Sequence, residues 1–334
     1  MGKIDIQGKD AAAFLNKIYA NGFAKLPVGK TRYGLMLRED GIAMDDGTTA
    51  RLSEHHFVMT TTTANAVEVF RHLEFCRQCL WPGLDVHLIS VTEQWAQFAV
   101  AGPNSRALLR KIVDADFDIS NEAFPFMACG EVKICSGIPG RLFRISFSGE
   151  LAYEIAVPAR YGDALIRALM EAGREYDVVS YGTEALGVMR IEKGHAAGNE
   201  LTGQTTARDL GMARMVSKKK DCIGNTLSER PELNREDGLA LVGFFPVNRD
   251  DELMAGAHFV KQDNAATLEN DEGWMTSVAY SPSHGHSIGL GFIKQGADRT
   301  GEVLTAVDMV RDKSVNVEIV SPHFIDPEGE RLRV

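Results

Sequence analysis

Three stretches of the chain differ in their sequence pattern, and the order of these stretches restricts the fold more than any other feature. Strand-like runs end in the predicted helix Asn65–Leu80, and a second set of such runs ends in the predicted helix Arg160–Glu175. From Leu239 onwards, short strand-like runs alternate with Gly, Asn, Asp and Pro turns. This order predicts an α+β fold in which two β-rich subdomains precede a small antiparallel barrel or sandwich.

Hydrophobic periodicity and turn residues indicate the individual elements. Strands in the two subdomains are predicted over 3–7, Tyr33–Leu37, Thr48–Leu52, Phe57–Thr61, Glu131–Cys135, Gly140–Phe147 and Leu151–Val157, and a strand-rich run is predicted over Val86–Val100. Helices are predicted over Ala11–Ala20, Asn65–Leu80, Ser105–Val113 and Arg160–Glu175. The last strands are predicted over Leu239–Phe245, His258–Lys261, Thr276–Tyr280, Ser287–Ile293, Val303–Val310 and Val315–Val320. The charged stretch Ser228–Asp237 separates a predicted domain over 1–227 from a second over 238–334.

Charge and cysteine content restrict the partners and the compartment. The 334 residues carry a formal net charge of −10, so no excess of Lys and Arg is present to neutralise phosphates. We therefore expect no nucleic-acid and no membrane partner. No run approaches the ~20 apolar residues that span a bilayer. Five scattered cysteines and the lack of a signal-peptide pattern at the start predict a cytoplasmic protein.

Cys76 and Cys79 form a CxxC pattern, and His72 precedes the first of them by one helical turn. These residue types are conceivable as a zinc or redox site, but no second Cys/His pair lies nearby to complete four ligands. The apolar residues around both thiols follow helical spacing. We therefore interpret both cysteines as packing residues and predict no metal site.

Glu154 stands in a predicted strand between Tyr153 and Ile155. A glutamate in a strand is typically a solvated edge residue. A carboxylate on a rigid strand can also accept two parallel N–H bonds, which the 2-amino-4-oxo-pyrimidine edge of a pterin presents. The adjacent acids Asp45 and Asp46 precede Gly47, as in many hairpin turns. If this segment is extended instead, the two side chains face opposite sides of the strand.

Eight segments, taken in order through almost the whole chain, resemble one known family. They are TRYGLMLREDGIAMDDGTTARL (31–52), VTEQWAQFAVAGPNSRALL (91–109), SNEAFPFM (120–127), FRISFSGELAYEIAVPARYGDAL (143–165), YGTEALGVMRIEKGHAAGNELTGQTTARDLG (181–211), MVSKKKDCIG (215–224), SPSHGHSIGLGFIK (281–294) and SPHFIDPEGERLRV (321–334). The chain resembles the folate-binding aminomethyltransferase family of the glycine-cleavage T-protein. Within that family it is most similar to the carboxyl-terminal part of the alpha subunit of heterotetrameric sarcosine oxidase.

The resemblance implies two β-rich α/β folate-binding subdomains and a C-terminal antiparallel β-barrel, arranged as a cloverleaf around a central cavity. It also implies that an N-terminal segment of the family fold, which would precede Gly2, is missing. No GxGxxG pattern opens a helix after a strand, so FAD, NAD and FMN are expected only in other parts of an oxidase assembly. The implied cofactor is tetrahydrofolate. The implied partners are the beta, gamma and delta oxidase subunits or a separate N-terminal half of alpha.

The resemblance further assigns roles to three side chains. Glu154 is expected to orient the pterin, Asp45 to act as the catalytic carboxylate beside N5 and N10, and Tyr33 to pack beside the ring. A half-buried strand aromatic is an equally good interpretation of Tyr33. Tyr153 should face the opposite side of its strand from Glu154 and join the core.

Leu186 stands where the T-protein has an arginine. Loss of a guanidinium removes a fixed partner for an anion, which argues against aminomethyl transfer from a lipoyl protein and favours the oxidase branch. The predicted function is therefore capture of the one-carbon unit from oxidised sarcosine to form 5,10-methylenetetrahydrofolate. The alternatives are a free-standing folate-dependent aminomethyltransferase and a non-catalytic folate-binding or subunit-interaction module.

Three further charged residues have structural interpretations. Arg190 and Glu192 are expected to pair on a helix, whereas Glu200 either borders the substrate passage or is a solvated loop acid. No role is assigned to the histidines that adjoin glycines, which are His195, His284 and His286.

Overall fold

The computed structural model describes residues 1–334, and its first unit is a five-stranded antiparallel sheet with two helices on one face. The strands are β1 (Gly2–Gln7), β2 (Lys30–Leu37), β3 (Ala43–Ser53), β4 (His56–Thr61) and β5 (His87–Ser90), in the order β2-β3-β4-β1-β5. The helices are α1 (Ala11–Ile18) and α2 (Ala66–Phe75), which is continued by a π-helical turn over Cys76–Leu80. Their apolar sides pack on Ile4, Phe57 and Met59 of the sheet.

The second unit is a four-stranded antiparallel sheet that also carries helices on one face. Its strands are β6 (Trp95–Ala101), β7 (Cys129–Ile134), β8 (Ile138–Phe143) and β9 (Ala152–Pro158), in the order β6-β9-β8-β7. Its helices are α3 (Ser105–Leu109) and α4 (Gly162–Gly173). Leu165 and Leu169 of α4 share a core with Ile155 and Tyr153 of β9. Tyr153 is fully buried there, so its predicted core position is confirmed.

The third unit is a closed six-stranded antiparallel barrel. Its strands are β10 (Leu239–Pro246), β11 (His258–Lys261), β12 (Gly273–Ser281), β13 (His286–Lys294), β14 (Val303–Asp308) and β15 (Lys313–Val320), in the order β10-β13-β12-β11-β14-β15. Between the second sheet and the barrel lie α5 (Thr183–Lys193), which contacts β12 and β13, and the short α6 (Asn225–Ser228). The predicted α+β fold with a C-terminal antiparallel barrel is confirmed.

Two segments settle points that the sequence left open. The segment around Asp45 is extended and not a turn, because β3 pairs with β2 from Ala43 onwards and the reversal falls earlier, near Gly41. The predicted strand-rich run Val86–Val100 contains two strands, because the chain leaves the first sheet after β5 and enters the second sheet at β6. None of the helices combines the length and the apolar character needed to cross a membrane.

Candidate functional site

The two sheets approach each other through their helix-free faces, and a buried ion pair joins them. Asp5 of β1 accepts two hydrogen bonds from the Arg141 guanidinium of β8, each 3.0 Å long. His56 lies 3.0 Å from the same carboxylate, and the guanidinium stacks on Trp95 at 4.0 Å. Burial alone raises the pKa of Asp5, but the hydrogen bonds from His56 and Arg141 outweigh it and leave the pKa below its usual value. The contacts therefore fix the two sheets in one relative position.

A row of polar side chains crosses this face of the first sheet. Tyr33 pairs with Thr48 across β2 and β3, and the Thr48 hydroxyl lies 3.0 Å from the Thr60 hydroxyl on β4. Thr60 pairs in turn with Lys3 on β1. Asp46 lies two residues before Thr48 and shares its face. We call these five residues the polar row, which runs from Tyr33 on β2 to Lys3 on β1. Its part from β3 to β1 extends over two strand spacings, or about 10 Å.

Tyr33 and Asp46 form the first end of the polar row. The Tyr33 hydroxyl donates a hydrogen bond of 2.5 Å to Asp46, and the sulfur of Met212 lies 3.9 Å from the same hydroxyl. Burial raises the pKa of Asp46 to about 6, the charge of Asp45 adds to this shift, and the Tyr33 hydrogen bond opposes it. Burial also raises the pKa of Tyr33, so the phenol remains a donor. Asp46 thus changes its charge near neutral pH.

Asp45 occupies the opposite, helix-covered face of β3 and is fully buried. One of its oxygens accepts a hydrogen bond from the Thr62 backbone N–H at 3.2 Å, and the other accepts one from the Asn65 side-chain amide at 3.1 Å. Burial raises the pKa of Asp45, and these hydrogen bonds oppose the shift. The predicted alternation of the two aspartates is confirmed. The catalytic role of Asp45 stays a prediction, because its oxygens hold the residues before α2 and Asp46 faces the space between the sheets.

Glu154 of β9 lies beside the other end of the polar row. The Gln97 side-chain amide donates a hydrogen bond to Oε2 of Glu154, while Oε1 accepts none from the protein. Gln97 reaches this position because it lies two residues from Ala99, which pairs with Glu154. Burial raises the pKa of Glu154, and Gln97 and the positive charge of Lys3 oppose the shift. The carboxylate therefore has one free acceptor oxygen in a partly closed space.

The predicted site residues differ in the faces that they occupy. Tyr33 and Glu154 lie on the helix-free faces of their sheets, at opposite ends of the polar row, whereas Asp45 lies on the helix-covered face. The sequence did not single out Gln97 or Lys3. Both residues are placed by the strand register within the two sheets, which pairs residues dozens of positions apart. Such pairing leaves no local pattern in the sequence.

Glu200 is neither a solvated acid nor a lining residue of a passage. It is fully buried, pairs with Arg190 at 2.9 Å, and accepts hydrogen bonds from the Thr276 and Ser277 hydroxyls at 2.5 and 2.7 Å. The predicted Arg190–Glu192 pair is wrong, because residues two positions apart on a helix do not face each other. Glu192 accepts a hydrogen bond from a barrel serine instead. These contacts attach α5 to the barrel.

The histidine and cysteine candidates have local explanations. His195 lies with Nδ1 3.2 Å from the backbone oxygen of Phe147, and burial lowers its pKa to about 4. Cys76 belongs to the core of the first unit, where burial raises its pKa to about 12 and confirms the packing interpretation. Cys79 is exposed. No group of three or more His, Cys, Asp or Glu side chains is placed to hold a metal ion.

A separate cavity of about 360 Å³ lies between α5, the loop before β9 and the segment after β15. Its lining charges are already paired, because Glu150 accepts from Arg331 at 2.6 Å and Lys193 lies 3.2 Å from Asp326. None of the polar row lines it. We assign no ligand to this cavity.

Comparison with known proteins matches two family profiles to the chain. The profile of the GCVT N-terminal domain matches residues 1–220, and that of the glycine cleavage T-protein C-terminal barrel domain matches residues 240–326. The chain belongs to the glycine cleavage T-protein family. The predicted family is thereby confirmed, and the chain is a T-protein-like module of the transferase type.

Individual members of the T-protein family are similar over different parts of their lengths. Sarcosine oxidase subunit alpha of Rhizobium meliloti (strain 1021) is 52% identical over 100% of this chain and 34% of its own length. An aminomethyltransferase of Thermus thermophilus is 30% identical over 89% of this chain and 78% of its own length. The crystal structure of glycine cleavage system aminomethyltransferase T from Bartonella henselae has a TM-score of 0.82 at 24% identity, covering 97% of this chain and 84% of that one. The chain thus spans about a third of the alpha subunits that it matches.

Proposed function

We propose that this chain binds tetrahydrofolate between its two sheets and captures the one-carbon unit of oxidised sarcosine as 5,10-methylenetetrahydrofolate. The sarcosine would be oxidised elsewhere, in an oxidase assembly that contains the beta, gamma and delta subunits. FAD, NAD and FMN would belong to those parts. The observation that carries the proposal is Glu154, a partly buried carboxylate with one free oxygen, at the end of a polar row that begins with a second carboxylate.

Each side chain has a role that its position supports. Glu154 accepts the N–H groups of the pterin pyrimidine edge, and Gln97 holds the carboxylate in the orientation that this requires. At the other end, Asp46 accepts a proton near neutral pH while Tyr33 orients it. Asp45, the carboxylate expected from the family resemblance, acts through its charge on Asp46. From Asp46 on β3 to Lys3 on β1 the row crosses about 10 Å, which is comparable to a bicyclic ring with its first substituent.

Bound tetrahydrofolate would supply the two amines, N5 and N10, that take up the methylene of the sarcosine imine while their protons pass to the nitrogen that leaves as glycine. Holding donor and acceptor in one space favours this transfer over loss of the carbon to water. The 52% identity with a sarcosine oxidase alpha subunit and the absence of an arginine at Leu186 both support sarcosine as the source.

Substitution of Glu154 tests the binding proposal. Glu154→Ala removes up to two charge-assisted hydrogen bonds of about 1.5–3 kcal/mol each, so tetrahydrofolate affinity should fall by at least tenfold. Isothermal titration calorimetry measures this effect under anaerobic conditions. Glu131→Ala is the matched control, since Glu131 is an exposed glutamate of the same sheet. Equal affinities of wild type and Glu154→Ala would remove Glu154 from the site.

A free-standing aminomethyltransferase is the second candidate function. The Thermus relative favours it, because this chain covers 78% of that protein. Mixing the purified chain with tetrahydrofolate and an aminomethylated lipoyl protein distinguishes the two. Product formation without any oxidase subunit would support this second candidate.

A further inference from the structure

β6 is an edge strand of the second sheet, because it pairs only with β9. Directly after β6, the Gly102 N–H donates to the backbone oxygen of Leu151 at 2.8 Å. Directly before β6, the backbone oxygen of Gln94 accepts from the Ala159 N–H at 2.8 Å. Hydrogen-bonded and non-bonded pairs alternate in an antiparallel ladder, so alternate residues of β6 point their N–H and C=O groups away from β9. Four residues therefore present backbone groups to which no part of the protein bonds, and these are Trp95, Gln97, Ala99 and Ala101.

The free edge of β6 lacks the features that normally prevent pairing with another strand. Edge strands are usually short, or carry charges, proline or a bulge. β6 has seven residues, WAQFAVA, with no charge, no proline and no shift of register. The opposite edge of the same sheet, β7, exposes Glu131 and Lys133, and the edge strand β5 of the first sheet has only four residues. The edge of β6 is thus unusually suited to accept a further strand.

The side chains of β6 are also incompletely covered. Ala96, Phe98 and Val100 pack against the core of the second unit, but none of the residues of β6 is fully buried. β9, which has a strand on each side, buries five of its seven residues. A strand beside β6 would cover its apolar side chains in the same way, because neighbouring strands place side chains of one face against each other.

We propose that the free edge of β6 binds an extended, mainly apolar segment as a fifth strand of the second sheet. The segment belongs to the part of an oxidase alpha subunit that lies outside the region matched by this chain. Backbone hydrogen bonds provide the affinity in such strand addition, and alternate side chains provide the specificity. The new strand bonds to the backbone of Gln97, the residue that holds Glu154, and so stabilises one wall of the candidate site.

Two observations favour an alpha-subunit segment over a second copy of this chain. The chain covers only 34% of the alpha subunit of Rhizobium meliloti and 84% of the Bartonella protein with the same fold, so additional polypeptide accompanies the shared fold in both. A dimer of this chain would bring together two molecules that each carry a formal net charge of −10, which opposes association.

Hydrogen exchange of the β6 amides tests whether a strand is added. In the free chain the amides of Gln97 and Ala99 face solvent and should exchange rapidly, whereas β9 protects those of Phe98 and Val100. In the complete oxidase assembly Gln97 and Ala99 should exchange at least about tenfold more slowly. Mass spectrometry with residue resolution measures these rates. Rapid exchange of both amides within the assembly would overturn the proposal.

A photoreactive side chain identifies the segment that binds. Ala99 is the one exposed residue of β6, and replacing it with p-benzoylphenylalanine keeps its backbone N–H. Illumination of the complete oxidase assembly should crosslink this position to a peptide of the alpha subunit from outside the matched region. A crosslink to a second copy of this chain or to the beta, gamma or delta subunit would contradict the proposal, as would the absence of any crosslink.

Ala99→Pro separates assembly from folding. Proline is compatible with an edge strand where its position needs no N–H, so the melting temperature of the free chain should stay close to that of wild type. Recovery of the variant with the oxidase assembly should fall by at least about tenfold, because the added strand loses a donor and meets the proline ring. Ala99→Ser is the control, since it keeps the N–H, and it should assemble like wild type.

Two results with Ala99→Pro would count against the free edge. Assembly at the wild-type level would show that no strand bonds there, and a much lower melting temperature of the free variant would show that the Ala99 N–H is bonded within the chain. Tetrahydrofolate binding by the free wild-type chain is a separate measurement. The proposed function can therefore stand if strand addition fails, and strand addition can stand if folate does not bind.

Discussion

At the residue scale, two adjacent aspartates on β3 acquire different properties from opposite faces of one strand. The buried Asp45 carboxylate accepts hydrogen bonds from a backbone N–H and a side-chain amide, whereas the Asp46 carboxylate accepts one from the Tyr33 hydroxyl. The charge of Asp45 contributes to the raised pKa of Asp46, which is about 6. The two residues therefore act as a unit in which one sets the proton affinity of the other.

The pH profile of one-carbon capture tests this arrangement. If the ionised form of Asp46 is active, formation of 5,10-methylenetetrahydrofolate should fall below about pH 6. Asp46→Asn should reduce the rate by about 10²-fold or more and remove this inflection. Asp45→Asn should shift the inflection to lower pH, because it removes a negative charge that raises the pKa. Tyr33→Phe should shift it to higher pH, because the hydrogen bond lowers the pKa.

Rates from the complete oxidase assembly, measured with quenched samples, provide the profile. The family resemblance, which assigns catalysis to Asp45, makes the reverse prediction. In that case Asp45→Asn would abolish product formation and Asp46→Asn would leave it near the wild-type rate.

The sequence predicts the chemistry of these residues better than it predicts which residues they contact. Glu154 and Tyr33 stand in recognisable segments, and period-two alternation alone separates Asp45 from Asp46. The pairing of Glu154 with Gln97 joins positions 57 residues apart. Such contacts depend on which strands are neighbours in the sheet, and a local sequence pattern does not reveal strand neighbours.

At the element scale, α5 is attached to the barrel by a buried charge in addition to the apolar contacts of Ile191 with Ile288 and Leu290. Arg190 donates to Glu200 at 2.9 Å and to the Ser277 hydroxyl at 2.6 Å. Leu186 belongs to the same helix. The buried charge therefore helps to fix the position of α5 on the barrel. The helix itself was identifiable in the sequence, but its anchor joins residues 87 positions apart.

Substitution of Glu200 should loosen α5 selectively. Glu200→Ala leaves the buried Arg190 guanidinium without its counter-charge, which typically costs about 3–5 kcal/mol. Amide hydrogen exchange over residues 183–193 should accelerate, while the amides of β13 in the barrel keep their protection. Glu184→Ala is the control, because Glu184 is an exposed residue of the same helix. Equal acceleration throughout the barrel would indicate general unfolding and contradict a local anchor.

At the scale of the whole molecule, three apolar cores are joined by buried charges and by smaller apolar clusters. The cores of the first sheet, the second sheet and the barrel were predictable, because each consists of strands and helices with clear periodicity. The Asp5–Arg141 pair that joins the two sheets connects residues 136 positions apart, and neither residue has a distinguishing local pattern. Lys3 and Glu154 each lie two residues further along their strands than the positions that form this contact. Two residues of a strand correspond to about 7 Å. The ion pair thus positions the two walls of the candidate site.

Asp5→Asn should lower the free energy of unfolding by about 3–5 kcal/mol at pH 7, because Arg141 would remain buried without a counter-charge. The pKa of Asp5 is depressed in the folded state, so this contribution is fully present above the ordinary carboxyl pKa. It is lost as the pH falls through the lower folded-state pKa. The difference between wild type and variant should therefore shrink below about pH 4.

Urea unfolding followed by circular dichroism, from about pH 3 to pH 7, measures this difference. Asp163→Asn is the control, because Asp163 forms an exposed pair with Arg167 and should show no measurable change. A difference that stays constant with pH would mean that the Asp5 charge does not join the sheets. Weaker tetrahydrofolate binding by Asp5→Asn at pH 7, with Glu154 intact, would connect this joint to the site, since the ion pair holds the second sheet opposite the polar row.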